Sequence, residues 1–327
     1  MHQQSETQFS NIETYSAAVN FKKVLVIGLG QLGLPVAKYI HDRGFETCGF
    51  DLNPEAMKLA NSYGIKKVQD FSEIDVFVMC ISTHSQDDIY TPDVTGILDI
   101  ARKISFEAKK GALLSIESTI PKGTSRKVFE IINHRLHVVH VPHRWYAHEE
   151  EIHGVNQLRV IGGISKCCLD QGLCFYGTGS NDFFHSSESN DPGAVASTID
   201  HNRDLLNLSI PLHPVSEIEI AELTKIVENS YRYVQIAFAE DLYMFCHNNN
   251  VNFDELRKAL NTKWNVSLPE ARNGILGHCL PKDAKMFVQA SGATRSKILT
   301  AAMQVDADYK RHREEQNPVL QSGISRN

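Results

Sequence analysis

The chain has 327 residues, too many for one small core and suited to two domains. Its residues are 42% hydrophobic and 22% charged, an ordinary globular balance, and a formal net charge of −6 gives no electrostatic case for binding nucleic acid or an anionic membrane surface. No run of 18 apolar residues is present, so no transmembrane helix is expected, and the polar segment 1–20 lacks the apolar centre of a signal peptide. The chain is therefore expected in the cytoplasm, with its seven scattered cysteines as free thiols rather than a disulfide framework.

In chain order, residues 1–20 read as a flexible arm. Residues 22–27 (KKVLVI) are a short apolar run, the pattern of a buried parallel strand. A glycine turn and an amphipathic helix over 32–42 follow, then a strand at 47–50 and a helix over 53–63 with Pro54 in its first turn. Residues 76–81 (VFVMCI) form another buried strand, followed by a polar loop over 82–92 and a helix over 94–104. A strand at 112–116, a helix over 123–135 and strands at 136–141 and 158–161 complete the series, whose alternation implies βαβ units and a parallel sheet. The segment 177–193 is rich in Gly, Ser, Asn and Asp and is expected to be a surface loop. From 216 the pattern turns helical, with one long helix over 217–248 and shorter ones over 253–260 and 282–289. The last residues, 311–327, are polar and expected to be a disordered tail.

Gly28-Leu29-Gly30-Gln31-Leu32-Gly33 is a GxGxxG run that follows a strand and opens a helix, the context that gives this short motif meaning. Gly28 permits the tight turn, Gly30 lets the backbone approach a pyrophosphate, and Gly33 lets helix and strand pack closely. The helix start, with Gln31 and Leu32, offers free N–H groups and partial positive charge to phosphates. Asp51 ends the second strand, 23 residues after Gly28, where a carboxylate can accept both ribose hydroxyls and repel a 2′-phosphate. No Arg follows within the next few positions, so NAD is favoured over NADP. Thr83 and Thr119 complete the expected cofactor-binding set. The fold class is therefore α/β, an N-terminal Rossmann doubly wound parallel sheet followed by an all-α central domain. The boundaries read as a flexible arm (1–20), an NAD-binding domain (21–213), a helical dimerisation and catalytic domain (214–310) and a tail (311–327).

Cys279 lies in Gly277-His278-Cys279-Leu280-Pro281-Lys282-Asp283, where Gly277 removes a side chain beside the thiol and Pro281 can start a helix. A thiol near a helix N-terminus, with Lys282 and His278 close by, is expected to have a lowered pKa, although a cysteine taken alone is more often a small buried apolar residue. Lys225 and Asn229 lie four apart and share one face of the long helix. That pair suits either a solvated surface or an ammonium that stabilises an oxyanion beside an amide that orients substrate or water. Residues 117–124 (ESTIPKGT) end a sheet strand, where ligands gather; the hydroxyls there can hold water or a nicotinamide, or Thr124 and Ser125 can simply cap a helix. Six histidines fall between 134 and 153 (His134, His137, His140, His143, His148 and His153), but their spacings match no familiar metal site. Cys167, Cys168 and Cys174 have no paired CxxC spacing, and no metal site is expected.

Taken together, these motifs resemble the UDP-glucose/GDP-mannose dehydrogenase family, most closely its UDP-N-acetylmannosamine and UDP-N-acetylglucosamine 6-dehydrogenase branch. VIGLGQLGLPVA resembles the family's N-terminal glycine motif, and 118–124 (STIPKGT) its STVPPGT motif. Residues 221–232 (AELTKIVENSYR) resemble its AELxKxxENxxR pattern, Asn261 and Thr262 its later Asn-Thr pair, and 277–283 its GHCxPxD motif. The resemblance implies oxidation of a sugar C6 alcohol to a carboxylate with two NAD. On that scheme the Cys279 thiolate attacks the intermediate aldehyde to give a thiohemiacetal, whose oxidation yields a thioester that water hydrolyses. Lys225 and Asn229 would hold the C6 oxygen, and Asp283 and Thr119 would position water or relay a proton. It also implies a homodimer through the long helix.

Three departures accompany the resemblance. The chain ends where the family's third, nucleotide-binding domain is expected to begin. The PEF-type motif, with a glutamate that assists catalysis, is here 142–147 (PHRWYA), with His143 in place of the glutamate. The Gly-rich run before GHC is 268–276 (LPEARNGIL), with few glycines. Arg144 and Arg272 are candidates for an anionic substrate group, and Gly277 for close substrate approach. Two other readings stand beside the two-step dehydrogenase of a nucleotide sugar or related polar alcohol. One is a single-step oxidoreductase resembling the β-hydroxyacid dehydrogenases, which uses Lys225 and Asn229 without Cys279. The other is a non-catalytic NAD-binding paralogue.

Overall fold

The computed structural model describes residues 20–84, 88, 91–144, 154–177, 206–292 and 296–316. Most of the expected arm and most of the expected 177–193 loop lie outside those residues. The strands are β1 (Lys23–Ile27), β2 (Glu46–Phe50), β3 (Lys66–Lys67), β4 (Val76–Met79), β5 (Leu113–Ile116), β6 (His137–His140), β7 (Arg159–Gly163) and β8 (Leu212–Val215). They form one sheet in the order β3-β2-β1-β4-β5-β6-β7-β8. The helices between them are α1 (Gly33–Asp42), α2 (Pro54–Ser62), α3 (Thr95–Glu107), α4 (Thr124–Ile132) and α5 (Lys166–Tyr176). The helical region comprises α6 (Ile218–Asn248), α7 (Phe253–Leu260), α8 (Cys279–Ala290) and α9 (Lys297–Gln316).

The strand order reverses at β1, which pairs in parallel with β2 on one side and β4 on the other. Strand alternation sends Val24 and Val26 to one face and Leu25 and Ile27 to the other, so each side of β1 enters a separate core. Both faces are covered by helices, as a parallel sheet requires. The first core packs Val36, Ala37 and Ile40 of α1 on the sheet; the second packs Ile97, Ala101 and Ile104 of α3 and Val128 of α4.

Three departures from the sequence reading concern the two edges of the sheet and the end of the chain. β7 pairs with β6 antiparallel, through Val139↔Gly163 and His140↔Gly162, so the sheet is not wholly parallel. The sequence reading placed no helix between those strands, and an antiparallel pair does not require a crossover helix. β3, β8 and α5 were not anticipated. β3 is a two-residue edge strand, and β8 contains Pro214, both weak strand signals. The tail expected from 311 begins as helix instead. α9 continues to Gln316, where Arg313 donates to the Tyr243 hydroxyl (3.1 Å) and Gln316 meets His247 (3.0 Å) on α6.

α6 has 31 residues and is about 46 Å long at 1.5 Å per residue. Its first turn packs on the sheet, where a Cβ at Gly162 would stand 2.8 Å from Ile218 Cα. Farther along, Tyr233 and Ala237 of α6 pack with Ala284 of α8 and Leu299 and Ala302 of α9. Among the described residues no helix is long and apolar enough to cross a membrane.

Candidate active site at the carboxyl ends of the strands

The glycine turn between β1 and α1 has the geometry its sequence implied. Gly28 has φ +87°, and a Cβ there would lie 2.6 Å from the Cys80 carbonyl oxygen. A Cβ on Gly33 would lie 1.7 Å from the Gly28 carbonyl oxygen, so only glycine lets α1 start this close to β1. A Cβ on Gly30 would meet nothing within 4 Å, which leaves backbone open to an approaching pyrophosphate. Asp51 holds the turn in place: its carboxylate accepts from Leu29 N (2.6 Å) and Asn53 N (2.7 Å). A carboxylate has about four lone-pair sites, so acceptor capacity remains for ribose hydroxyls. A cleft of about 480 Å³ opens here, lined by Leu29, Gly30, Gln31, Leu34, Asn53 and Leu59. This chain's residues therefore fit a dinucleotide at the topological switch point.

The second half of the site is delivered by the helices. Cys279 is the first residue of α8, and its residue is exposed. Asp283, one turn further on, is only 1% exposed; Asn229 Nδ2 on α6 donates to its Oδ2 at 2.5 Å. Lys225, one turn before Asn229, lies where both Asp283 and Cys279 act on it electrostatically. Burial lowers the Lys225 pKa, while Asp283, Glu228 and Cys279 pull it back up. Burial raises the Asp283 pKa against the neighbouring Lys282, Asn229, Lys225 and His278. The structure thus brings Cys279, Lys225, Asn229 and Asp283 together from segments about 50 residues apart.

The lowered thiol pKa expected from the sequence is not found. Partial burial and the Asp283 carboxylate push the Cys279 thiol up, and the Lys282 and Lys225 ammonium groups only partly oppose them. Asp283 lies one turn along the same helix, so a nearby negative charge acts directly on the sulfur.

Lys282 is the functional residue that sequence reasoning undervalued. It is 6% exposed, and its Nζ donates to Thr83 Oγ1 at 3.2 Å. Thr83 in turn donates to the Thr119 carbonyl oxygen at 2.7 Å. This chain of contacts ties α8 to the ends of β4 and β5, where a nicotinamide would lie. Glu222 supplies a second tie. From α6 its carboxylate accepts from Gly123 N (2.5 Å) and Ser125 N (2.7 Å), capping α4. The expected cap by Thr124 or Ser125 is absent, because the helix starts after Gly123 at φ +88° and its free N–H groups face α6 instead.

His143 does not stand free in the site. It is 5% exposed and its Nε2 meets Glu117 at the end of β5. Glu117 also pairs with Arg159 Nη1 (3.1 Å) and accepts from the Tyr176 hydroxyl. Burial alone would raise the Glu117 pKa, but the Arg159 guanidinium, with His143 and Tyr176, holds it to about 2. Burial and Arg159 push His143 down to about 4 despite Glu117. A neutral histidine set against the interior Glu117–Arg159 ion pair is a packing element here rather than an open base.

The two arginines considered for anion binding are placed differently. Arg144 Nε (3.3 Å) and Nη2 both bind Glu228 on α6, and Nη1 donates to the Leu158 carbonyl, so its charge is already matched. Arg272 has an 81% exposed side chain beside Glu270 (3.7 Å), so its described partner is a surface carboxylate outside the Cys279 cluster. Gly277 has φ +79°, and a Cβ there would meet nothing within 4 Å, leaving the approach to Cys279 open.

Fold and site together define a Rossmann dinucleotide-binding protein whose helical second part supplies a thiol and two ammonium groups. The chain belongs to the UDP-glucose/GDP-mannose dehydrogenase family: the model of that family's NAD-binding domain matches residues 65–177, and that of its central domain residues 219–308. A UDP-N-acetyl-D-mannosamine dehydrogenase of Methanococcus maripaludis is 26% identical over 310 residues, covering 88% of this chain and 65% of that protein. The chain thus spans less than two thirds of the length of that curated relative. The UDP-N-acetyl-mannosamine dehydrogenase Cap5O from S. aureus has the same fold, with a TM-score of 0.69 and 23% identity over 94% of this chain and 73% of that one. A 3-hydroxyisobutyrate dehydrogenase from Mycobacterium tuberculosis shares the fold at a TM-score of 0.61 and 14% identity, covering 88% of this chain and 94% of that one.

Proposed function

We propose that this chain is an NAD-dependent oxidoreductase that converts the C6 alcohol of a nucleotide sugar to a carboxylate in two oxidations, the second through a thiohemiacetal on Cys279. The observation that carries this reading is the meeting of an exposed thiol with Lys225, Asn229 and Asp283, while Lys282 joins the same helix to Thr83 at the carboxyl ends of the strands. A single-step alcohol oxidation needs no nucleophile; a route from alcohol to acid without releasing the aldehyde does.

NAD bound along the glycine turn would accept one hydride in each oxidation. The chain's own groups account for the remainder. Lys225 stabilises the alkoxide and oxyanion charge that develops on the C6 oxygen, and the second N–H of Asn229 donates to the same oxygen. The Cys279 sulfur adds to the aldehyde carbon, forming the C–S bond of a thiohemiacetal. After the second oxidation gives a thioester, water breaks that bond and restores the thiol. The overall balance is one alcohol, two NAD⁺ and one water giving one carboxylate, two NADH and three protons. Asp283, held protonated more readily by burial, positions the water with Thr119 and relays its proton.

UDP-N-acetylmannosamine is the first substrate to test, beside UDP-glucose and free hydroxy acids. Two NADH per substrate, abolished or reduced to one in Cys279→Ala, supports the reading. One NADH, indifferent to Cys279, would favour a single-step oxidation on Lys225 and Asn229, the pair that also fits the fold shared with the hydroxyisobutyrate dehydrogenase. NAD binding without turnover on any substrate would favour a binding role.

The reading includes a homodimer. α6 leaves Ile220, Val227, Tyr231, Phe238 and Phe245 between 41% and 65% exposed. Their spacing of seven, four, seven and seven places them along one stripe of the helix, an apolar surface suited to a second copy of α6.

A further inference from the structure

A cluster of soft ligands lies at the opposite end of the sheet from the cleft. His134, His137, Cys167 and Cys168 each offer one ligand atom, and all four atoms lie within 4.8 Å of one another. Chain spacing hides this group, because the histidines precede the cysteines by about 30 residues and belong to different elements. The topology assembles it. β6 runs parallel to β5 and β7 returns antiparallel, so the start of β6 and the end of β7 share the amino-terminal end of the sheet. His137 opens β6, and α5 begins just after β7 with Cys167 and Cys168 in its first turn. Asn133 and His134 both adopt the left-handed region, at φ 51° and 54°, which folds the α4–β6 turn over the start of α5.

The distances suit one small ion. Cys167 Sγ is 3.5 Å and Cys168 Sγ 4.0 Å from His134 Nε2. Tetrahedral zinc, with Zn–S of about 2.3 Å and Zn–N of about 2.0–2.1 Å, requires S···N edges of about 3.6 Å and an S···S edge of about 3.8 Å. Shifts of about 1 Å or less close the set. A second observation points the same way: His137 Nδ1 is buried and has no hydrogen-bond partner. The Ser165 hydroxyl lies 3.1 Å from one sulfur and 3.2 Å from the other, the kind of outer contact that orients thiolate ligands. All four ligands come from this chain, so no coordination position is left open for chemistry.

We propose that His134, His137, Cys167 and Cys168 bind one zinc ion, a structural site that joins the α4–β6 turn to the start of α5. The site is separate from the Cys279 cleft, which lies at the carboxyl ends of the strands, and its existence does not depend on the reaction proposed there.

The test uses cobalt(II) as a spectroscopic stand-in for zinc, added to the full chain carrying Cys279→Ser so that the cleft thiol contributes nothing. The expected result is uptake of one equivalent, with a thiolate-to-cobalt charge-transfer band and the intense visible bands of tetrahedral coordination, bleached by one equivalent of zinc. Adding Cys167→Ser and Cys168→Ser is expected to abolish those bands while NAD binding persists. His134 is exposed, so His134→Gln leaves the cores intact. It is expected to weaken metal binding on the order of 10–100-fold or more, at least the loss seen when an outer-shell partner is removed. Cobalt bands unchanged in the double cysteine variant or in His134→Gln, or only the weak spectrum of octahedral cobalt in the parent, would overturn the proposal.

Discussion

Asp283 is buried one turn from Cys279, and its charge raises the pKa of that thiol. Removing the charge with Asp283→Asn is expected to lower the thiol pKa, since the Lys282 and Lys225 ammonium groups are then opposed by burial alone. The pH profile of iodoacetamide modification at Cys279 should move to lower pH; a profile that stays in place or moves up contradicts the charge arrangement. At the nucleotide end, Asp51 orders the glycine turn through Leu29 N and offers its remaining lone pairs to ribose. A hydrogen bond to a charged group is worth about 1.5–3 kcal/mol, so Asp51→Ala is expected to weaken NAD binding by about 10–100-fold, measured by calorimetric titration. Lys225 and Asn229 were legible because they sit four apart on one helix, whereas Cys279 and Asp283 stood out through the motif at 277–283, whose helix was expected to start only at 282 and in fact starts at Cys279. Lys282 was not singled out, because a lysine beside a thiol looks the same in sequence whether it faces solvent or, as here, reaches Thr83.

The first βα unit and α6 carry the predictions that belong to elements. Gly33→Ala would place a methyl group 1.7 Å from the Gly28 carbonyl oxygen, and backbone cannot yield as a flexible side chain can. The helix must move off the strand, so the variant is expected to lose NAD binding together with several degrees of thermal stability, followed by calorimetry. Along α6 the exposed apolar stripe predicts that Phe238→Glu converts a dimer to a monomer in sedimentation, because two carboxylates would face each other across a desolvated contact. A sedimentation profile unaffected by the change would remove this stripe from the interface. The antiparallel β7 shows how an element's direction escapes a periodicity argument: apolar runs mark a buried strand but do not say which way it runs.

Across the whole molecule, interior ionisation couples stability to pH. His140 and His143 are pushed down to about 3 and about 4 by burial, from an ordinary 6.5. Both are neutral in the folded chain, and the unfolded chain binds their protons first as pH falls. Their contribution is fully present above pH 6.5 and is lost as pH drops towards 4, each group removing about 1.4 kcal/mol per pH unit in that window. Glu117, held to about 2 from 4.5, extends the loss at lower pH. The melting temperature is therefore expected to fall steadily from pH 6.5 to 4, and His143→Asn to flatten that slope. A melting temperature constant across the window would show that these groups are not buried in solution.

The sequence by itself determined the Rossmann half and the helical half, because a glycine turn, an apolar strand and an amphipathic helix are local features with fixed periods. It also determined which residues line one face of α6, since helical offsets place side chains without reference to the rest of the chain. Only the tertiary structure decided what those faces meet. Asn229 lies 54 residues from Asp283, Lys282 reaches Thr83 across 199 residues, and Arg144 is neutralised by Glu228 across 84. It likewise decided that His143 is locked against Glu117, and that His134 and His137 stand beside Cys167 and Cys168. Such contacts follow from strand direction and interdomain packing, which depend on the sum of many weak burial energies, and no spacing along the chain encodes them.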